Sequence, residues 1–354
     1  MGGGIKTEPG KETIENAFGY DFRPKAFVNL DELGRNMREI KNAAGNARFY
    51  AVVKSDAYGH GACRIAVEAE PFCDGFAVAS LSEALVLRIG GAKKPIFCLL
   101  PVADVARAAF SGVEISVADH CDFERICAVS KALPEKPTLH FSVNTGMNRL
   151  GYDSLSLFRD DLASAKKLGF RVAGVFSHFY NPSDYEATLS QYRLFKKFGE
   201  AAKDVFQEAL LHICASGALS YGEFNCDMVR VGLLMYGYKP VIGTYNVKPI
   251  MSVYARKILC RDIGCGENVL YGDYKTDKAV TASVLSYGYY DGLEKLAGGV
   301  NDNCMNLCAA EGNCEYKNVT ENLAAFAEKT GGIYRTLLRA GRICEKIYYR
   351  EGKN

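Results

Sequence analysis

The sequence predicts an α/β chain, a (β/α)8 TIM-type barrel followed by a mostly β C-terminal domain. Three observations carry that expectation. From about Pro24 to Tyr238, eight short apolar runs alternate with longer amphipathic segments, so the hydrophobic pattern switches repeatedly between strand and helix spacing. The glycine fingerprint of a dinucleotide site is missing after the early runs, which favours a closed barrel over a doubly wound sheet. Beyond Tyr238 the pattern turns to β-rich runs punctuated by glycine and aspartate. At 354 residues the chain also exceeds the usual size of a single core. The expected division is an N-terminal extension over 1–20, the barrel over 21–240 and the β domain over 241–354.

The eight predicted barrel strands cover 49–53, 75–79, 95–100, 113–117, 139–143, 172–177, 210–214 and 229–234. The first is apolar throughout and bounded by a turn signal, the pattern of a strand buried on both faces. Helical spacing intervenes at 81–88, 123–131, 155–167 and 186–209. In the second domain, strands are expected around 249–260, 268–271 and 279–287, and helical spacing returns at 323–328 and 333–339. There is no internal repeat and no low-complexity linker.

Bulk composition narrows the function. A formal net charge of +2 gives no strong field for nucleic acid or an anionic membrane, so a small-molecule partner is expected. No apolar stretch approaches the length of a membrane span. The 13 cysteines are odd in number and scattered from Cys63 to Cys344, which reads as reduced thiols in a cytoplasmic protein. Cys304, Cys308 and Cys314 lack paired ligand spacing and a nearby histidine, so no metal site is expected. Met1-Gly2-Gly3-Gly4 has neither a signal-peptide core nor a myristoylation pattern, and reads as a flexible start.

Chemistry concentrates where strands end, the working end of a parallel barrel. Lys54 follows the first strand and opens a small loop with Tyr58, Gly59 and Gly61. An amine there suits covalent attachment of a carbonyl cofactor, and the glycines let a backbone approach a phosphate. Arg149 follows the fifth strand and suits a carboxylate or a phenolate oxygen. His178 and His212 close two later strands. Arg230 lies inside an otherwise apolar strand, where a guanidinium needs a partner to offset its desolvation.

The strings AVVKSDAYGHG (51–61), TGMNRLG (145–151) and SYGYYDG (286–292), in this order, resemble the alanine racemases, enzymes that use pyridoxal 5′-phosphate. The resemblance runs from Pro24 to the C-terminal tail. It implies that Lys54 holds the cofactor and acts on one face of Cα, while Tyr289, presented by the second subunit of a homodimer, acts on the other. It further implies that Tyr58, Ser216, Gly232, Leu233 and Tyr334 hold the phosphate, and that Arg230 meets the pyridine nitrogen. Arg149 would approach the cofactor's phenolic oxygen and the substrate carboxylate, which the backbone at Met305 also meets. His178 and His212 would link Tyr289 to Arg230, His178 helping the phenol to ionise. Tyr334 and Tyr289 would narrow the entrance.

Three departures stand out. Ser142 occupies the place of a carbamylated lysine found in many members, Asn306 follows Cys304-Met305 where aspartate is usual, and the stretch from Met305 to Tyr334 is short. The implied activity is interconversion of L- and D-alanine. A racemase of serine or another small amino acid, and a non-catalytic barrel that carries pyridoxal 5′-phosphate, are the alternatives.

Overall fold

Eight parallel strands in a computed structural model form one nearly closed sheet. The structure describes residues 8–240, 242–271, 275–292, 304–320 and 332–352. The expected flexible start at Met1–Gly4 and the helical spacing at 323–328 lie outside them. Strand β1 (Lys25–Asn29) and helix α1 (Lys11–Phe18) precede helix α2 (Leu30–Ala44), after which the barrel strands begin. These are β2 (Arg48–Val52), β3 (Gly75–Val78), β4 (Ile96–Cys98), β5 (Val113–Val117), β6 (Leu139–Ser142), β7 (Val172–Phe176), β8 (Leu210–His212) and β9 (Met228–Val231). Their spatial order is β8-β7-β6-β5-β4-β3-β2-β9. At the seam between β8 and β9, Asp227 N donates to Leu211 O at 3.1 Å and Arg230 N to Cys214 O at 3.0 Å.

All eight sequence-predicted strands are present, because strands buried on both faces read as unbroken apolar runs. The helices at Leu81–Ile89, His120–Ser130, Leu155–Lys167 and Tyr185–Val205 fall on the predicted helical spacings. Each starts at a side-chain cap: Ser80, Asp119, Ser154 and Asp184 accept from the backbone N–H three residues on. The strand order also sets which side chains meet. Tyr50 on β2 touches Glu114 on β5, three strands away, so both project into the barrel interior.

Two compact units result. Among the described residues, one gathers those of 34–57 and 62–247, and the other those up to Leu33, Tyr58–Gly61 and those from Lys248 on. Residues 21–33 thus group with the second unit, because β1 pairs antiparallel with β10 (Met251–Ile263) and parallel with β14 (Glu345–Tyr349). The sheet of this unit runs β12 (Cys308–Glu311), β11 (Val280–Leu285), β10, β1, β14, with β13 (Tyr316–Asn318) beside β10. Helix α1 closes one face by packing Ile14 and Phe18 on Phe27, Tyr254 and Tyr349. The expected strand at 268–271 is reduced to one isolated bridge, Asn268 with Lys275.

Candidate active site

Lys54 stands two residues past β2, and the backbone beyond it is unusual. Ser55, Asp56, Ala57 and Tyr58 all have φ between 53° and 56°, a left-handed helical turn built without glycine. Left-handed helix costs about 1–2 kcal/mol per L-residue, so such a run needs support from its surroundings. Three hydrogen bonds supply it. Ser55 N donates to Glu83 Oε1 at 2.7 Å, Ala57 N to Val53 O at 2.9 Å, and Ala62 N to Asp56 Oδ1 at 2.8 Å. The other Glu83 oxygen accepts from Ala79 N at 2.7 Å, tying the turn to the end of β3. A turn-forming loop is the sequence expectation here, and the structure makes it a strained one with a fixed shape.

Replacing Glu83 with alanine is therefore expected to cost about 1.5–3 kcal/mol, the range for hydrogen bonds to a charged acceptor. Urea denaturation at unchanged slope measures it, and a loss under 0.5 kcal/mol (roughly the surface-substitution scatter) rejects the support role.

The barrel unit brings five of the sequence-predicted residues to one end of the parallel strands: Lys54 after β2, Arg149 after β6, His178 after β7, and Ser216 and Gly232 after β8 and β9. Arg230 lies within β9. The Lys54 amine is lowered from its ordinary value by burial first and then by the charge of Arg149, with Glu83 opposing and Arg230 assisting. His178 is lowered to about 3 by burial, then by Arg230, Arg149 and Lys54, so its ring is neutral across the physiological range. These shifts place two arginines, a lysine and a neutral imidazole within electrostatic reach of one another. Ser216 Oγ accepts from Gly232 N at 3.3 Å, which ties the two strand ends together.

The Arg149 loop is braced from within. Asn144 Oδ1 accepts from Gly146 N and Asn148 N, both at 3.0 Å, and Asn144 Nδ2 donates to Asn148 Oδ1 and Asp153 Oδ1. Gly151, at φ +115°, could carry no Cβ, because one would lie 2.4 Å from Val143 C. Below it, Thr145 Oγ1 and Ser177 Oγ lie 2.8 Å apart, and Gln191 Nε2 donates to Thr145 Oγ1 at 3.0 Å.

In the other unit, Tyr58 and Tyr334 stack loosely, ring centroids 5.6 Å apart, and burial raises both phenols. Tyr289 opens a short 3-10 turn. Its N–H donates to Cys304 O at 3.1 Å and that of Tyr290 to Met305 O at 2.9 Å. A Cβ on Gly288 would lie 2.3 Å from Met305 O, so that glycine lets the two loops meet. Tyr289, Met305 and Tyr334 are each about half exposed in the single chain.

The alanine racemase N-terminal domain family matches residues 28–240. The alanine racemase of Clostridium tetani is 30% identical to this chain, covering 92% of it and 91% of its own length. The chain belongs to the alanine racemase family. That of Clostridium kluyveri is 29% identical, over 92% and 94%. Among solved structures, alanine racemase from Clostridium difficile 630 gives a TM-score of 0.84 at 23% identity, covering 93% of this chain and 96% of that one. The enzyme from D-cycloserine-producing Streptomyces lavendulae gives 0.84 at 24%, over 92% and 97%. These structures bear on the fold. Family membership makes the chain an amino-acid racemase. Among the described residues no helix is long and apolar enough to cross a membrane.

Against this alanine racemase frame, sequence reasoning passed over Tyr50, Glu114 and His140, which join His212 and Arg230 in one buried chain. Glu114 Oε2 lies 3.1 Å from His140 Nε2, His140 Nδ1 lies 2.9 Å from His212 Nε2, and His212 Nδ1 lies 2.7 Å from Arg230 Nη1. The signal was present: Glu114 and His140 interrupt apolar strands just as Arg230 does.

Proposed function

We propose that this chain interconverts L- and D-alanine with pyridoxal 5′-phosphate, by proton transfer at two opposite faces of Cα. The observation that carries the reading is the half-buried Lys54 amine, lowered in pKa and set among Arg149, His178 and Arg230 at the working end of the barrel. The donor set fits the cofactor. The Lys54 amine is poised to react with an aldehyde, and the positive charges of Arg149 and Arg230 favour an anionic ligand. Arg230 Nη1 bonds His212 Nδ1 and His212 O, and Nη2 bonds Ser177 O at 2.6 Å, so three contacts leave this five-donor group able to give another hydrogen bond.

When bound, the cofactor supplies the electron sink that makes the α-proton of an attached amino acid removable. Lys54 holds it and, once displaced by substrate, carries a proton on one face of Cα. Tyr289, from the second subunit of a homodimer, carries it on the other. Arg230 donates a hydrogen bond to the ring nitrogen without protonating it, because a guanidinium keeps its proton even at a value lowered to about 10 by burial. An arginine that keeps its own proton there would leave the bound cofactor a weaker electron sink and so disfavour transamination. Tyr58, Ser216, Gly232, Leu233 and Tyr334 hold the phosphate, and Arg149 with the Met305 backbone receives the substrate carboxylate. His178 and His212 stay neutral, since burial and neighbouring cations lower both.

The test is a racemisation assay with both enantiomers of alanine and of serine. Alanine is expected to be the better substrate in kcat/KM. An apolar pocket excludes an added hydroxyl by only about 100-fold, so measurable serine turnover is compatible with the reading. Serine preferred over alanine rejects alanine as the substrate, and protein that takes up the cofactor but exchanges no α-proton rejects the racemase reading altogether.

A further inference from the structure

The barrel interior holds a run of polar groups where layers of bulky apolar side chains are usual. Tyr50 Oη donates to Glu114 Oε2 at 3.3 Å, and the chain continues through His140 and His212 to Arg230. All five residues are at most 7% exposed. The space is made for them. Phe97 stacks on His140 with centroids 4.2 Å apart, and Phe176 on His212 at 5.5 Å. A Cβ on Gly174 would lie 2.7 Å from His140 Nδ1 and 2.8 Å from His212 Nε2, so only glycine in β7 leaves room for the two rings to meet.

Hydrogen-bond chemistry gives this chain one direction. Arginine can only donate, so His212 Nδ1 must be bare where Arg230 Nη1 approaches it. His212 then carries its proton on Nε2 and donates to His140 Nδ1. His140 in turn carries its proton on Nε2 and donates to Glu114. An ionised carboxylate can only accept, which closes the sequence without conflict. Charging either ring would set two donors face to face.

We propose that Glu114 is a positioning residue that fixes both histidine tautomers and thereby the orientation in which Arg230 is offered to the cofactor's ring nitrogen. This rests on the reading that Arg230 meets that nitrogen. A neutral amide at position 114 can still accept from His140, but it can also flip and reverse the chain. An apolar side chain leaves His140 Nε2 without its acceptor. The carboxylate allows one answer only. Burial opposes its ionisation, but the hydrogen bonds from His140 and Tyr50 and the nearby Arg171 charge favour the carboxylate, and Glu114 is lowered overall.

The test reads the tautomers directly. The whole chain has only five histidines, so histidine-selective 15N labelling gives an assignable spectrum of the purified protein, recorded without cofactor or substrate. Wild type is expected to show His140 and His212 neutral, each protonated on Nε2. A proton on Nδ1 of either ring, or an imidazolium at neutral pH, overturns the proposal whatever reaction the protein catalyses. Glu114→Leu is expected to give mixed tautomers and to hold pyridoxal 5′-phosphate about tenfold less tightly, the size of one lost hydrogen bond to a charged group. Glu114→Gln is expected to restore affinity to within about twofold of wild type, because its oxygen still accepts. Glu114→Leu with wild-type tautomers and wild-type affinity also overturns it. Should Glu114→Leu fail to fold, the wild-type spectrum decides alone. Correct tautomers in a protein without racemase activity sink the activity reading and leave the positioning role standing.

Discussion

Lys54→Ala is expected to abolish lysine-linked retention of pyridoxal 5′-phosphate and to lower alanine racemisation by on the order of 10⁴-fold, since in the proposed mechanism one residue supplies both the covalent attachment and a proton carrier. Borohydride treatment followed by mass measurement should fix the cofactor to the wild-type chain and not to the variant. An added primary amine should restore part of the activity, because it can replace the carrier without restoring the link. Undiminished racemisation in Lys54→Ala would remove the residue from the mechanism.

The same amine predicts a pH dependence. Burial and Arg149 lower its pKa below the ordinary 10.5 of lysine, with Arg230 adding to the effect and Glu83 opposing it. Only the neutral amine accepts a proton. In the direction where Lys54 is the base, kcat should therefore rise with pH through a midpoint below 10.5, because the amine is free only once substrate has displaced it. Removing the Glu83 charge should move that midpoint lower still. His178 is not expected to contribute a limb near the ordinary imidazole value, since it is already neutral well below it.

The sequence and the structure agree where interactions are local or where burial is two-sided. Strand 113–117 and helix 155–167 match to the residue because each keeps one repeat from end to end and is bounded by a clear cap or turn. What the sequence hides is long-range pairing. Lys25–Asn29 has the same apolar look as the barrel strands, yet its partners lie near residues 251 and 345, and nothing local distinguishes the two fates. The left-handed turn is hidden for a related reason. Residues 55–58 contain no glycine, and their handedness is set by Glu83 and Val53, which local preference cannot report.

At the candidate site, the positions of Lys54 and Arg149 are legible in the sequence because each follows a barrel strand, and strand ends converge in a parallel barrel. Their division of labour was not. The sequence puts His178 and His212 in one role, whereas the structure gives His212 a direct bond to Arg230 and sets His178 among the charges of Lys54, Arg149 and Arg230. Glu114 and His140 needed the strand order before their partners could be named: β5 and β6 are neighbours, but β7 separates His140 on β6 from His212 on β8, and the two rings meet in the interior.

Tyr289→Phe carries the other large expected effect. It should lower racemisation in both directions by roughly 10²–10⁴-fold, because every complete inversion needs a proton carrier on each face. Exchange with solvent should split. In deuterated water, the enantiomer whose α-proton Lys54 removes should still wash deuterium into Cα, while the other should lose exchange by a comparable factor. Nuclear magnetic resonance of each alanine enantiomer reads this directly. Tyr290 is the needed control: it is the neighbouring phenol, more exposed at 59%, and its backbone is held by the same loop through Met305 O. Tyr290→Phe should leave both exchange rates within about twofold, as expected of a phenol that touches no reacting atom. If Tyr289→Phe exchanged both enantiomers like wild type while Tyr290→Phe lost one, the proton carrier would be the neighbouring ring. If neither variant lost exchange, no phenol of this turn would serve the second face, and the two-face assignment would fail.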